Sequence, residues 1–182
     1  TGATYASIQI PCRVSSLNSL VCCFKRALAI GNPFRRTAST ETAGLYQYQI
    51  RFGPALYPST PIKFATNNWT QSAFHTLEAF GISASQVGDA GMWLDWANIA
   101  DSAGLNEGHT GLIGAFMFGL NLSSFGGHTE QLLNSGQNST SQLLFMEMYL
   151  DGLVQNDQRF FSFANYDVMY CLSPDGLLTV RT

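Results

Sequence analysis

His75 and Glu78 stand three residues apart, the spacing that puts two metal ligands on one helical face. A metal needs more ligands than one such pair supplies, so two solvent-facing side chains are the plainer reading. His109 and His128 bracket an uncharged stretch and read as loop residues bonded to backbone. Asp89, Asp95, Asp101 and Glu107 recur every sixth residue. A calcium loop concentrates its carboxylates in a DxDxD run, and none is present, so these four read as a solvated loop. No GxSxG, GxxxxGK[ST], HExxH or GxGxxG occurs, which leaves an esterase elbow, a P-loop, a zincin and a dinucleotide fold without a motif. The expectation is a protein with no catalytic, cofactor-binding or metal-binding residues.

Cys12, Cys22, Cys23 and Cys171 lack CxxC spacing, and the adjacent pair is placed to face opposite sides of a strand. Free buried thiols fit this pattern, while a Cys12–Cys171 bridge stays open. Three acceptor sequons, at Asn68, Asn121 and Asn138, have meaning only where the chain meets a glycosylation machinery.

Asp, Glu, Lys and Arg make up 12% of the chain and hydrophobic residues 46%, against about 25% charged in ordinary soluble domains. So few ions do not cover the outside of a domain of this size, and much of that outside is expected to lie against other chains. The net charge of −3 and pI near 5.5 give no broad cationic surface, which argues against nucleic acid as a partner. Lys25, Arg26, Arg35 and Arg36 form one basic cluster, read as solvated charge flanking a loop. The uncharged run from Gly108 to Thr129 has an apolar centre too short and glycine-rich for a spanning helix, so it reads as a buried strand. The chain opens on Thr1 without a secretory signal, which reads as a processed product or a fragment of a longer polypeptide.

The elements that would carry these residues are mostly strands. Ile8-Gln9-Ile10 alternates and meets Pro11; Leu20 to Phe24 forms a second strand; 31–44 is a long Thr/Ser-rich loop. In Leu45 to Phe52 the alternation sends Tyr46, Tyr48, Ile50 and Phe52 to one face and Gln47, Gln49 and Arg51 to the other. Gly53-Pro54 and Tyr57-Pro58-Ser59 make a corner before a short strand from Pro61 to Phe64. One short helix is expected from Thr70 to Phe80, capped by Thr70, ended by Gly81, with Phe74, Leu77 and Phe80 as its apolar stripe. A long loop follows from Ile82 to Thr110, and Trp93 and Trp96 in it are candidate anchors on the body or on a neighbour. Leu112 to Leu120, Leu143 to Leu150, Phe160 to Leu172 and Leu177 to Arg181 read as four strands, with reversals at Asp151-Gly152 and Pro174-Asp175-Gly176. The fold expected is all-β: one antiparallel two-sheet jelly-roll β-sandwich over 1–182.

Several stretches together resemble the C-terminal jelly roll of double-jelly-roll major capsid proteins of tailless DNA viruses, virophages and Polinton-like elements. They are Ile8-Gln-Ile-Pro-Cys-Arg-Val14, Tyr46-Gln-Tyr-Gln-Ile-Arg-Phe-Gly53 with Tyr57-Pro58-Ser59 and Pro61-Ile62, Phe118-Gly-Leu-Asn-Leu122, Ser135-Gly-Gln-Asn-Ser-Thr140, Phe163-Ala-Asn-Tyr-Asp-Val168 and Asp175-Gly176. Two features depart from that family: its acidic "DLE" appears here as Gly119-Leu-Asn121-Leu122, and the N-terminal jelly roll is missing. The resemblance implies a structural virion protein and no enzyme, assembled inside a host cell into trimeric pseudo-hexagonal capsomers of an icosahedral shell. Its partners would be copies of itself and other capsid proteins, with no specific nucleic acid and no membrane span; the N-terminal jelly roll would be a separate partner chain, a half cleaved from a longer double-jelly-roll chain, or absent from a single-jelly-roll relative. Trp93, Trp96, Asp95 and Asp101 are the expected inter-subunit contacts. The alternative is a lectin-like or cytokine-like binding module on the same sandwich, and a cupin-like enzyme would need a histidine cluster that three scattered histidines do not make.

Overall fold

The computed structural model describes residues 5–26, 40, 43–63, 70–81, 116–123, 136–150 and 158–181. These form nine strands and one helix: β1 (Tyr5–Ile10), β2 (Leu17–Arg26), β3 (Leu45–Phe52), β4 (Ala55–Lys63), α1 (Thr70–Ala79), β5 (Phe118–Asn121), β6 (Leu144–Leu150), β7 (Gln158–Tyr166), β8 (Met169–Leu172) and β9 (Leu178–Arg181). The first sheet runs β1-β6-β3-β4, the second β5-β2-β7, and β8 pairs with β9 as a separate ribbon. Every pairing is antiparallel.

Alternation puts Ile10, Tyr48, Ile50, Phe52, Leu144, Met146 and Met148 of the first sheet inward. They join Leu17, Leu20, Cys22, Phe24, Phe118 and Leu120 of the second sheet in one buried cluster, so the two sheets share a core in the manner of a β-sandwich. Each large apolar side chain withdrawn from water there contributes about 1.5–3 kcal/mol. The layers meet where the Tyr48 ring packs 4.8 Å from that of Phe118.

Register pins the pattern and also alters it. A bulge in β3 between Leu45 and Gln47 turns Tyr46 outward, and Leu45 takes the buried place expected for it. The corner expected at Tyr57-Pro58-Ser59 lies inside β4, where residues 58–61 stand opposite Gln49 as an irregularity. The Gln49 amide donates to the Pro58 carbonyl, which explains why a residue on the outer face is buried. The single strand expected from Phe160 to Leu172 is two. Its break falls at Asp167, whose N–H donates to the Ser16 carbonyl at 3.0 Å while its carboxylate accepts from Ser16 Oγ at 2.6 Å and Asn18 Nδ2 at 2.7 Å. Those bonds tie the chain to the start of β2 and end its pairing at Tyr166, after which β8 leaves the sheet.

Helix α1 spans the residues its caps mark, with Gly81 in the left-handed region at φ 74. Its facing differs from the expected stripe. Ser72, Ala73, Thr76 and Ala79 are buried, and Phe74 and Phe80 are exposed. The cause is close approach to β5: a Cβ at Gly119 would stand 3.0 Å from both the Ala79 methyl and the Leu20 carbonyl oxygen. Only small side chains fit between helix and strand at that distance.

Candidate interaction surface

The residues expected to touch neighbours, Trp93, Trp96, Asp95 and Asp101, lie outside the described residues, as do Asp89, Glu107, His109, His128 and Asn68. His75 and Glu78 approach to 3.4 Å on partly exposed side chains. Among the described residues no group of three or more His, Cys, Asp or Glu converges as a metal site. All four cysteines are free, so the bridge between Cys12 and Cys171 is not formed. Cys22 and Cys23 are both buried, and burial pushes each thiol up, Cys22 well above its ordinary value. The sequons at Asn121 and Asn138 each fold into a local turn, the Asn Oδ1 accepting from the hydroxyl two residues on at 2.6 Å.

One ionic cluster stands on the outer face of the first sheet. Glu147 of β6 accepts from Ser7 Oγ of β1 at 3.0 Å and from Arg51 Nε of β3 at 2.7 Å, and the Tyr5 hydroxyl of β1 donates to its other oxygen. Arg51 also lies 4.2 Å over the Phe145 ring. Burial acts to raise the Glu147 pKa, yet the hydrogen bonds from Tyr5, Arg51 and Ser7 and the guanidinium charge outweigh it and hold the carboxyl below its usual range. A carboxylate engaged by three donors from β1 and β3 ties three strands together in register. Beside it Tyr149 packs against Tyr5 at 5.1 Å and Tyr46 at 6.2 Å, an exposed tyrosine shelf.

A second polar knot closes the edge of β5. Gly119 N–H donates to Thr76 Oγ1 at 3.2 Å, and the Gly119 carbonyl accepts from the Tyr48 hydroxyl at 3.2 Å. Tyr48 also meets Ser72 Oγ at 3.1 Å, and Thr76 Oγ1 donates to the Ser72 carbonyl at 2.7 Å. The helix thereby satisfies the Gly119 N–H and Tyr48 of β3 the Gly119 carbonyl, backbone groups that an open strand edge would present to other chains.

Besides the tyrosine shelf, exposed apolar side chains gather on the β8–β9 ribbon and along helix α1. On the β8–β9 ribbon, cross-strand partners Tyr170 with Val180 and Leu172 with Leu178 share one face and are 67%, 53%, 73% and 57% exposed. The ribbon makes no substantial contact with another strand or helix among the described residues. On α1 and the turn that ends it, Phe74 and Phe80 are 45% and 44% exposed, with Leu77 partly buried between them. Sequence reasoning named the stripe of Phe74, Leu77 and Phe80 without reading it as an open surface, and it did not single out the ribbon face. The signal for the ribbon was present: from 160 to 180 the only charged residues are Asp167 and Asp175. No protein-family model, curated protein or solved structure matches the chain.

Proposed function

We propose that this chain is a structural shell subunit, a major-capsid-type jelly roll that assembles with copies of itself and with other capsid proteins into trimeric pseudo-hexagonal capsomers of an icosahedral virion. The reading assigns it no catalytic step. The observation that carries it is the bare apolar face of the β8–β9 ribbon. A two-stranded ribbon is marginal in water by itself and needs its hydrophobic face covered, and here that face turns to solvent.

The strand pairing supports the jelly-roll part of the reading. β1 pairs β6, β2 pairs β5 and β3 pairs β4. These pairs nest inside one another, and successive pairs alternate between the two sheets, which is how a long hairpin winds into a jelly roll. Helix α1 stands beside β5, where an eight-stranded roll would carry its fourth pair. In this reading the 82–110 segment, with Trp93, Trp96, Asp95 and Asp101, adds inter-subunit contacts.

Sedimentation velocity and negative-stain electron microscopy of the purified chain test the proposal. Rings, capsomers or particles are expected, and a species that stays monomeric at every concentration would sink it. The tyrosine shelf of Tyr5, Tyr46 and Tyr149 favours one other reading, a lectin-like module that stacks sugars on aromatic rings. That reading requires saturable glycan binding by a small, discrete species.

A further inference from the structure

The geometry points to a head-to-tail contact in which the β8–β9 ribbon of one copy seats on the Phe74, Leu77 and Phe80 stripe of helix α1 in the next. The inference rests on the self-assembly reading above and names the two surfaces that carry it. Both are apolar, and they belong to opposite edges of the second sheet. In the order β5-β2-β7, α1 closes the β5 edge through Thr76 and Gly119, while the ribbon continues from β7 on the far side. Neither surface packs substantially on the other among the described residues: α1 packs on β5, β2 and β4, and the ribbon makes no substantial contact with another described strand or helix.

A symmetric ribbon-on-ribbon dimer would cover one of these surfaces and leave the other in water. A contact between two different patches covers both and repeats from copy to copy, closing into a ring when the rotation allows. The area suits a weak contact repeated from copy to copy. Tyr170, Leu172, Leu178 and Val180 are each more than half exposed, whereas Phe74 and Phe80 of the receiving stripe are 45% and 44% exposed, so the stripe limits the contact to less than the about 800 Å² that one partner brings to a standard interface. The ribbon is also fixed at its root. Asp167 holds Ser16 and Asn18 of the β2 start, so the ribbon leaves the body at a set point and little ordering is left to the docking step.

Two double variants test this, Leu172→Lys with Leu178→Lys on the ribbon and Phe74→Lys with Phe80→Lys on the helix. All four positions are exposed, and circular dichroism with a thermal melt establishes that each variant is folded. Serine replacements at the same positions substitute for any lysine variant that is not. In sedimentation velocity the unmodified chain is expected to assemble and each variant alone to run as a monomer. An equimolar mixture of the two is expected to run as a one-to-one dimer and nothing larger, because mixing restores one sound contact only. Assembly of the folded helix variant at unmodified strength, or a mixture that remains monomeric, overturns the head-to-tail contact and leaves the shell reading standing. An unmodified chain that is itself monomeric at every concentration overturns both.

Discussion

Glu147 occupies an outward position on a central strand, where a carboxylate would ordinarily meet water, and it is buried because Tyr5, Ser7 and Arg51 close over it. Replacing it by Gln removes the charge that organises three donors on β1 and β3, and a loss of about 2 kcal/mol is expected in denaturant unfolding. The pH dependence has a definite sign. The folded carboxyl titrates below its ordinary 4.5, so its stabilisation is complete above that value and drains away as the pH falls through the lower folded one. The thermal midpoint of the native chain should therefore drop on acidification below about pH 4.5. Glu147→Gln should flatten that limb, and an acid limb equally steep in the variant would place the titration elsewhere. None of this was legible in the sequence. The partners lie 142, 140 and 96 residues from Glu147, and only the register of β1 and β3 against β6 brings them together. Alternation, by contrast, did foretell which way Tyr48, Ile50 and Phe52 point, since that depends on neighbours one and two residues away.

Helix α1 shows the same division one level up. Thr70 and Gly81 mark its span, because caps act locally. Its orientation depends on how near it comes to β5, and the near face is chosen for smallness, with Ser72, Ala73, Thr76 and Ala79 under the larger Phe74 and Phe80. A pattern that weighs hydrophobicity alone selects the wrong face. Gly119→Val puts methyl groups where 3.0 Å separates a Cβ from Ala79 and Leu20. It should cost about 1–3 kcal/mol by overpacking, lift the helix, and expose the β5 edge, read as faster amide exchange in α1 and β5 than in β6. Exchange unchanged in both elements would mean that the helix does not seal this edge. Strand ends were less legible than strand centres for a related reason. The β7–β8 break is made by Asp167 reaching residues about 150 positions earlier, in a stretch whose own sequence reads as continuous strand.

For the whole molecule the scarcity of charge is the feature the sequence states most directly, and the exposed ribbon and helix stripe give it a location. Association through such surfaces has a distinctive response to conditions. Raising NaCl from about 0.1 M to about 1 M shrinks the screening length from about 10 Å to about 3 Å and should barely weaken assembly, whereas cooling should weaken it and sulfate strengthen it. Dissociation driven by NaCl would instead place ion pairs at the contact. Cys22 and Cys23 are neighbours on β2, yet one thiol is sealed between the sheets and the other is shut in on the sheet's far side. Each is thus a chemical clock for a different wall of the same molecule: the order in which an alkylating reagent reaches them records which layer peels away first.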